Sequence, residues 1–284
     1  MTRPARPRTP TRTLHATCSS PPTFEPRSES SRIQGGALSS FPGWVHDESM
    51  CGRFALNSET NELIEEYVAQ GGDYRDWAPD WNIKPTNTVP IVVESAKGAD
   101  HPVRRLEGAR WSLIPPWSKT LTSKFPTFNA RSEGITEKAT WKGPVKSKRA
   151  LIPASGYYEW HTVGKTKTPH YIHPRAGELI SFAGLYSWWK DPTKADDDDT
   201  RWVLTATILT MPAVPSLAEI HDRTPVTLPK DWWDDWLSPE LVGDQAFVDA
   251  AVAASIPVAD ALAHHEVAPL RGEGAELIAP LNSL

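Results

Sequence analysis

The chain is short of cysteine and methionine and has no long apolar run, and each shortage removes a class of answer. Two cysteines, Cys18 and Cys51, stand among 284 residues. That is too few for a disulfide framework, so a reducing cytoplasm is the expected compartment. No stretch of about 18 apolar residues occurs, so no membrane span is indicated. Arg3, Arg6, Arg8 and Arg12 crowd the start, but no apolar segment follows them as a secretory signal requires. Metal-ligand spacings such as HxxxH and CxxC, EF-hand-like loops, the Walker A loop and the dinucleotide glycine fingerprint are all missing. The commonest metal and cofactor classes drop out, and neither a metal nor a cofactor is expected. The three methionines are Met1, Met50 and Met211.

What the chain does have is charge in separate places. The formal net charge is −5, yet residues 102–150 hold eleven Lys and Arg against Glu107, Glu133 and Glu137. The acidity lies elsewhere, notably in "KADDDDTR" and the C-terminal third. A basic segment on an acidic protein fits a face for a polyanion; it equally fits a solvated surface.

Residues 1–49 are rich in Pro, Ser, Thr and Arg and carry no hydrophobic period. They are expected to be a disordered extension, or the product of a mis-assigned start with translation beginning at Met50. The pattern changes at Cys51. "SETNELIEEYVAQ" offers Ser58 as a helix cap, with Leu63, Ile64, Tyr67 and Val68 at helical spacing. "TVPIVVES", "VRRLEGARWSLI", "RALIPASGYYEWH", "HYIHP", "LISFAGLYSWW" and "WVLTATILT" are β-prone runs bounded by turn residues. "KDPTKADDDDTR" reads as a polar hairpin loop, while "PKDWWDDWLS" and "DQAFVDAAVAAS" read as helices. Residues 50–284 are therefore expected to form one α+β domain, a curled, barrel-like and mostly antiparallel sheet flanked by helices.

Four residues could carry chemistry. Cys51 directly follows Met50; removal of that Met would leave a cysteine with a free α-amine beside its thiol. Such an aminothiol condenses with an aldehyde to an imine, which the sulfur closes into a thiazolidine. An internal cysteine cannot do this, because its nitrogen is an amide; buried, it is usually an inert small hydrophobe. Asn129 in "TFNARSEG" can orient an amine or a substrate oxygen, or serve a turn; Arg131 beside it suits a phosphate. Glu159 in "ASGYYEWH" is a general acid/base candidate if it faces inward, and a surface residue if it faces solvent. His221 in "EIHDRTPVTLP" is either a proton shuttle or part of a capped turn.

Taken in order, "MCGRF" at 50–54, "WNIKPT" at 81–86, "RWSLIPPWS" at 110–118, "FNARSE" at 128–133, "GYYEW" at 156–160, "SFAGLY" at 181–186, "IHDRTPV" at 220–226 and "GAELIAP" at 274–280 resemble the SRAP (SOS response-associated peptidase) family. Members of that family attach covalently to abasic sites in single-stranded DNA. The resemblance implies Cys51 as nucleophile with Asn129, Glu159 and His221 as its companions. It implies DNA contacts by Arg53, Arg131 and Arg149, a base-stacking wedge at Trp117, and a cleft lined by Asn82 and Pro85. It further implies removal of the initiator Met, by the protein itself or with help, and lyase-like chemistry. The expected partner is single-stranded DNA containing abasic sites, bound by a monomer that is nucleoid-associated when on DNA. "LTMPA" at 209–213 and Thr224 depart from the family pattern, and residues 1–49 would block the amine if left in place. Two other classes stay open: a cysteine peptidase acting on other proteins through Cys51 and His221, and a damage-binding module that forms no bond.

Overall fold

The computed structural model of the chain describes residues 52–67, 69, 77–95 and 100–281. Residues 1–49 and Cys51, for which a disordered extension and a nucleophile are expected, lie outside the described residues. In chain order the strands are β1 (Arg53–Leu56), β2 (Asp80–Ile83), β3 (Thr88–Ser95), β4 (Val103–Trp111), β5 (Asn129–Arg131) and β6 (Arg149–Ala154). They continue with β7 (Gly156–Val163), β8 (Thr166–His173), β9 (Ile180–Lys190), β10 (Trp202–Pro212), β11 (Arg223–Pro225) and β12 (Ala263–Glu266). The helices are α1 (Thr60–Tyr67), α2 (Ala139–Ser147), α3 (Trp233–Leu237) and α4 (Gln245–Asp260).

A closed barrel dominates. β4, β3, β6, β9 and β10 follow one another in hydrogen-bonded order, and a parallel β10–β4 pairing through Thr205–Arg110 and Ala206–Trp111 completes the circuit. Closure explains why these runs are apolar almost throughout. Val89, Ile91, Val92 and Val93 of β3 are all buried, as strands covered on both faces require. Closure also needs Gly184: a Cβ there would stand 2.9 Å from Ile152 Cδ1 and 3.2 Å from the Thr207 carbonyl, where β6 and β10 press on β9 from both sides. β5 and β11 extend the barrel rim by flanking the end of β10, Thr210 pairing with both Arg131 and Pro225.

A second, wholly antiparallel sheet runs β12-β8-β7-β1-β2. The fold is thus α+β with a mostly antiparallel barrel, as expected, with this separate sheet added to it. β7 and β8 approach closely at Gly156, where a Cβ would meet the Tyr171 ring at 2.5 Å and the Ile172 carbonyl at 2.6 Å. The two sheets share a core: Phe54 of β1 and Tyr157 of β7 both set their rings edge-on to Phe182 of β9.

The helices follow local chemistry. α1 begins two residues beyond Ser58; the Glu59 amide donates to the Glu62 carboxylate at 2.9 Å, while the Ser58 carbonyl accepts from Trp77 Nε1. α4 is capped by Asp244, whose side chain accepts from the Phe247 amide at 2.8 Å. The acidic loop joins β9 to β10 as a hairpin with Trp202 opposite Lys190, and its Asp196 pairs with Lys190 and Arg201. Among the described residues no helix is long and apolar enough to cross a membrane.

Candidate active site

β1 enters the second sheet between β7 and β2, its register setting Arg53 opposite Tyr158 and Phe54 opposite Tyr157. Continued by one residue, that register brings Gly52 opposite Glu159, so the Glu159 carboxylate stands level with the segment that follows Cys51. Glu159 is 2% exposed, which excludes the solvent-facing alternative. It shares a face with Tyr157, toward the barrel, because alternate residues of a strand point the same way.

Arg53 and Tyr158 stand on the opposite face. Arg53 Nη1 donates to Asn82 Oδ1 at 2.7 Å, and Asn82 Nδ2 donates in turn to the Gly272 carbonyl at 3.5 Å. Asn82 is buried and serves to aim Arg53. Pro85 lies half-buried in the turn after β2. There the left-handed Thr86, with φ 78°, donates its amide to the Trp111 carbonyl and accepts at its own carbonyl from Arg110.

Aromatic packing ties this strand pair to the barrel rim. The Phe54 ring meets Trp111 edge-on at 5.0 Å and Trp111 meets Phe128 at 5.7 Å, while Trp111 Nε1 donates to the Phe128 carbonyl at 2.8 Å. Phe128 immediately precedes β5, so the same contacts fix Asn129, which is buried, and Arg131, which is exposed.

His221 lies on the other flank of β10, in the loop that turns back into β11. Its Nδ1 lies 3.0 Å from the Arg223 amide and 3.2 Å from Asp222 Oδ1, so a donor and an acceptor both face that nitrogen. The loop is closed by the Ala213 amide donating to the Asp222 carbonyl at 2.9 Å. Arg223 then reaches under β10 to Glu133 in a two-pronged ion pair at 2.6 and 2.8 Å, and to the Thr210 carbonyl at 2.8 Å. The guanidinium holds the Glu133 carboxyl below the usual carboxylate range.

The family profile described as "SOS response associated peptidase (SRAP)" matches residues 50–270. The chain belongs to the SRAP family. It is 35% identical over 193 residues to the abasic site processing protein YoqW of Bacillus subtilis, covering 67% of this chain and 81% of that one. It is 29% identical over 242 residues to the abasic site processing protein YedK of Escherichia coli, covering 82% of this chain and all of that one. A crystal structure of a protein from Bacteroides thetaiotaomicron superposes with a TM-score of 0.65 at 22% identity, over 81% of this chain and 99% of that one. At that identity the likeness speaks for the fold alone.

Within this SRAP domain one expected DNA contact is corrected. Arg149 is 1% exposed. Its Nε donates to the Trp236 carbonyl, Nη1 to those of Val145 and Lys146, and Nη2 to those of Ser238 and Leu241, all between 2.6 and 2.8 Å. Its guanidinium lies 4.9 Å from the Phe247 ring centre, and burial lowers its pKa to about 10. Every donor nitrogen is engaged within the fold, so Arg149 has none to offer a phosphate.

Trp117, by contrast, is 63% exposed on the loop between β4 and β5, and Phe125 on the same loop is 71% exposed. The loop base is fixed by Leu113 and Ile114, whose amides donate to the Thr127 carbonyl and to Thr205 Oγ1. Trp189 Nε1 donates to the Ser118 carbonyl. Sequence reasoning missed Phe125, Glu133 and Arg223. The signal for the ion pair was present in opposite charges within "NARSE" and "HDR", but ninety residues separate them.

Proposed function

We propose that this SRAP protein processes abasic sites in single-stranded DNA by bonding to them. Cys51, freed of Met50, condenses with the ring-opened aldehyde of the abasic sugar. The observation that carries this reading is the buried Glu159, on the strand paired with β1 and level with the residue after Cys51. A carboxylate shielded from water at that point is suited to take the proton that the attacking amine releases. The names of the relatives, abasic site processing proteins, support the same reading.

The steps follow from the residues. The aldehyde exists only in the open sugar, and His221 opens the hemiacetal by giving a proton to the departing ring oxygen while taking up that of the anomeric hydroxyl. Asn129 orients the amine, which adds to C1′; loss of water gives the imine, and the Cys51 sulfur adds to its carbon as the thiol proton passes to its nitrogen. The product is a thiazolidine, which holds the DNA where a simple lysine imine would proceed to strand cleavage. Trp117 stacks on a base and occupies space that a paired strand would need, while Arg53 and Arg131 meet the backbone. One copy of the chain suffices.

Intact-mass spectrometry before and after adding an abasic single-stranded oligonucleotide tests the proposal. A chain beginning at Cys51 that gains one oligonucleotide minus one water supports it. Reversible binding without a mass gain indicates a damage-binding module instead, and cleavage of other polypeptides a peptidase.

A further inference from the structure

Five of the nine histidines lie on β7, β8 and β12, and the register sorts them onto the two faces of the second sheet. His173 and His265 share a face with Tyr171, their ring nitrogens 3.3 Å apart. Each also meets a carbonyl at 2.8 Å, His173 that of Pro174 and His265 that of Ile278. That pair is satisfied.

The other face is the one that carries Glu159. There the register sets His170 directly between Glu159 on β7 and Glu266 on β12, with the rings of His161 and His264 centred 6.0 and 5.6 Å away. His170 is only 8% exposed, and among the described residues neither of its nitrogens has a hydrogen-bond partner. A neutral imidazole carries one donor and one acceptor, and buried polar groups are nearly always paired, the exceptions clustering where a group has work to do. An apolar side chain would suit a purely structural role here better. Exposure also rises in one direction along this face: Glu159 and His170 are buried, His161 is half-buried, and His264 and Glu266 are exposed.

We propose that His170 is a positioning residue that passes protons between Glu159 and solvent. The inference rests on the proposed role of Glu159 in abasic-site attack. The Glu159 carboxylate takes the proton that the Cys51 ammonium must lose before its amine can attack, and hands it to neutral His170 through one intervening water. The imidazolium formed releases it past His264 to bulk water. One proton enters, one leaves, and both residues return to their starting forms. Burial first, then His264, His161 and His265, push the His170 pKa down, while Glu266 pushes it up. The net effect keeps His170 neutral, and so able to accept, at ordinary pH. Directly opposite partners stand about 4.5–5.5 Å apart at Cβ, which leaves a carboxylate and an imidazole within reach of a shared water.

The test uses the full chain with His170→Phe, His170→Gln and Glu159→Gln. Adduct formation with an abasic single-stranded oligonucleotide is followed from pH 5 to 9, beside binding to an intact oligonucleotide and thermal stability. Both His170 variants should fold and bind intact DNA as the wild type does, while forming adduct about tenfold more slowly near neutrality. Their rate profile should lose the part of the acid-side fall that protonation of His170 adds, in the wild type, to that of the Cys51 amine. Combining Glu159→Gln with His170→Phe should cost no more than Glu159→Gln alone, because the two act in series. A wild-type rate and acid limb in His170→Phe, or additive losses, overturn the relay. NMR titration of the His170 ring in the DNA-free protein separates this from the parent reading. Glu159→Gln should lower the His170 midpoint; an unchanged midpoint overturns the relay whatever the DNA result. A shifted midpoint in a wild type that forms no adduct supports the pairing and refutes the crosslink.

Discussion

Arg131 and Arg149 belong to the same basic stretch of sequence, yet one is exposed and the other is enclosed by five carbonyl oxygens. Their substitutions should separate cleanly. Arg131→Ala should weaken single-stranded DNA binding and reduce the slope of log affinity against log salt by about 1. An unchanged slope would remove it from the list of phosphate contacts. Arg149→Ala should unfold the protein more easily by on the order of 3–5 kcal/mol in denaturant titration, because it strands buried acceptors. Arg149→Lys should recover little, since an ammonium cannot match a planar fork. Trp117→Ala should cost about 1–3 kcal/mol of single-strand affinity with unchanged stability. A charge count could not tell Arg131 from Arg149, since burial depends on α3 and the segment after it, nearly a hundred residues downstream. Glu159 was legible as a residue but not in its direction, because Tyr158 and Trp160 on either side fit an inward or an outward carboxylate equally well.

At the scale of elements, the pair Arg223–Glu133 joins the turn after β5 to β11 across β10. It thereby holds Asn129 and His221 on opposite flanks of one strand. The folded-state pKa of Glu133 is depressed, so its contribution is present above the unfolded carboxylate pKa and is lost as pH falls through the folded one. Glu133→Gln should therefore flatten the acid limb of the stability profile, measured by thermal unfolding between pH 2 and 6. Because Glu133 is about half exposed, the change should be small. Long strands were readable from sequence because β-branched runs such as "TVPIVVES" sit between turn residues, and β3 spans that run from end to end. β5 and β11, of three residues each, are too short to show a period. α2 was hidden by Gly143 and Pro144 within it, both poor helix formers. Tertiary packing of Trp141 and Val145 overrides that preference.

For the molecule as a whole, the sequence made the barrel legible but not the partition into two sheets. That partition depends on which strands pair across long separations, as β10 does with β4 and β12 with β8. The proposed chemistry also has a whole-chain requirement. Protein expressed with residues 1–49 retained should form no adduct, and protein expressed from Met50 should form it, as read by denaturing electrophoresis with an abasic oligonucleotide. Equal adduct from both would mean that an internal Cys51 suffices, which the thiazolidine mechanism forbids.

The place of β1 between β2 and β7 also bears on how the protein is made. β1 is synthesised early, but one of its two neighbours begins only at Gly156. At ribosomal speeds of about 5–20 residues per second, β7 follows β1 by on the order of ten seconds. Until then β1 cannot complete its sheet, which leaves an interval for the removal of Met50 that the proposed function requires. Docking of β7 then closes that interval, so the order of synthesis allows trimming to come before the Glu159 site is assembled.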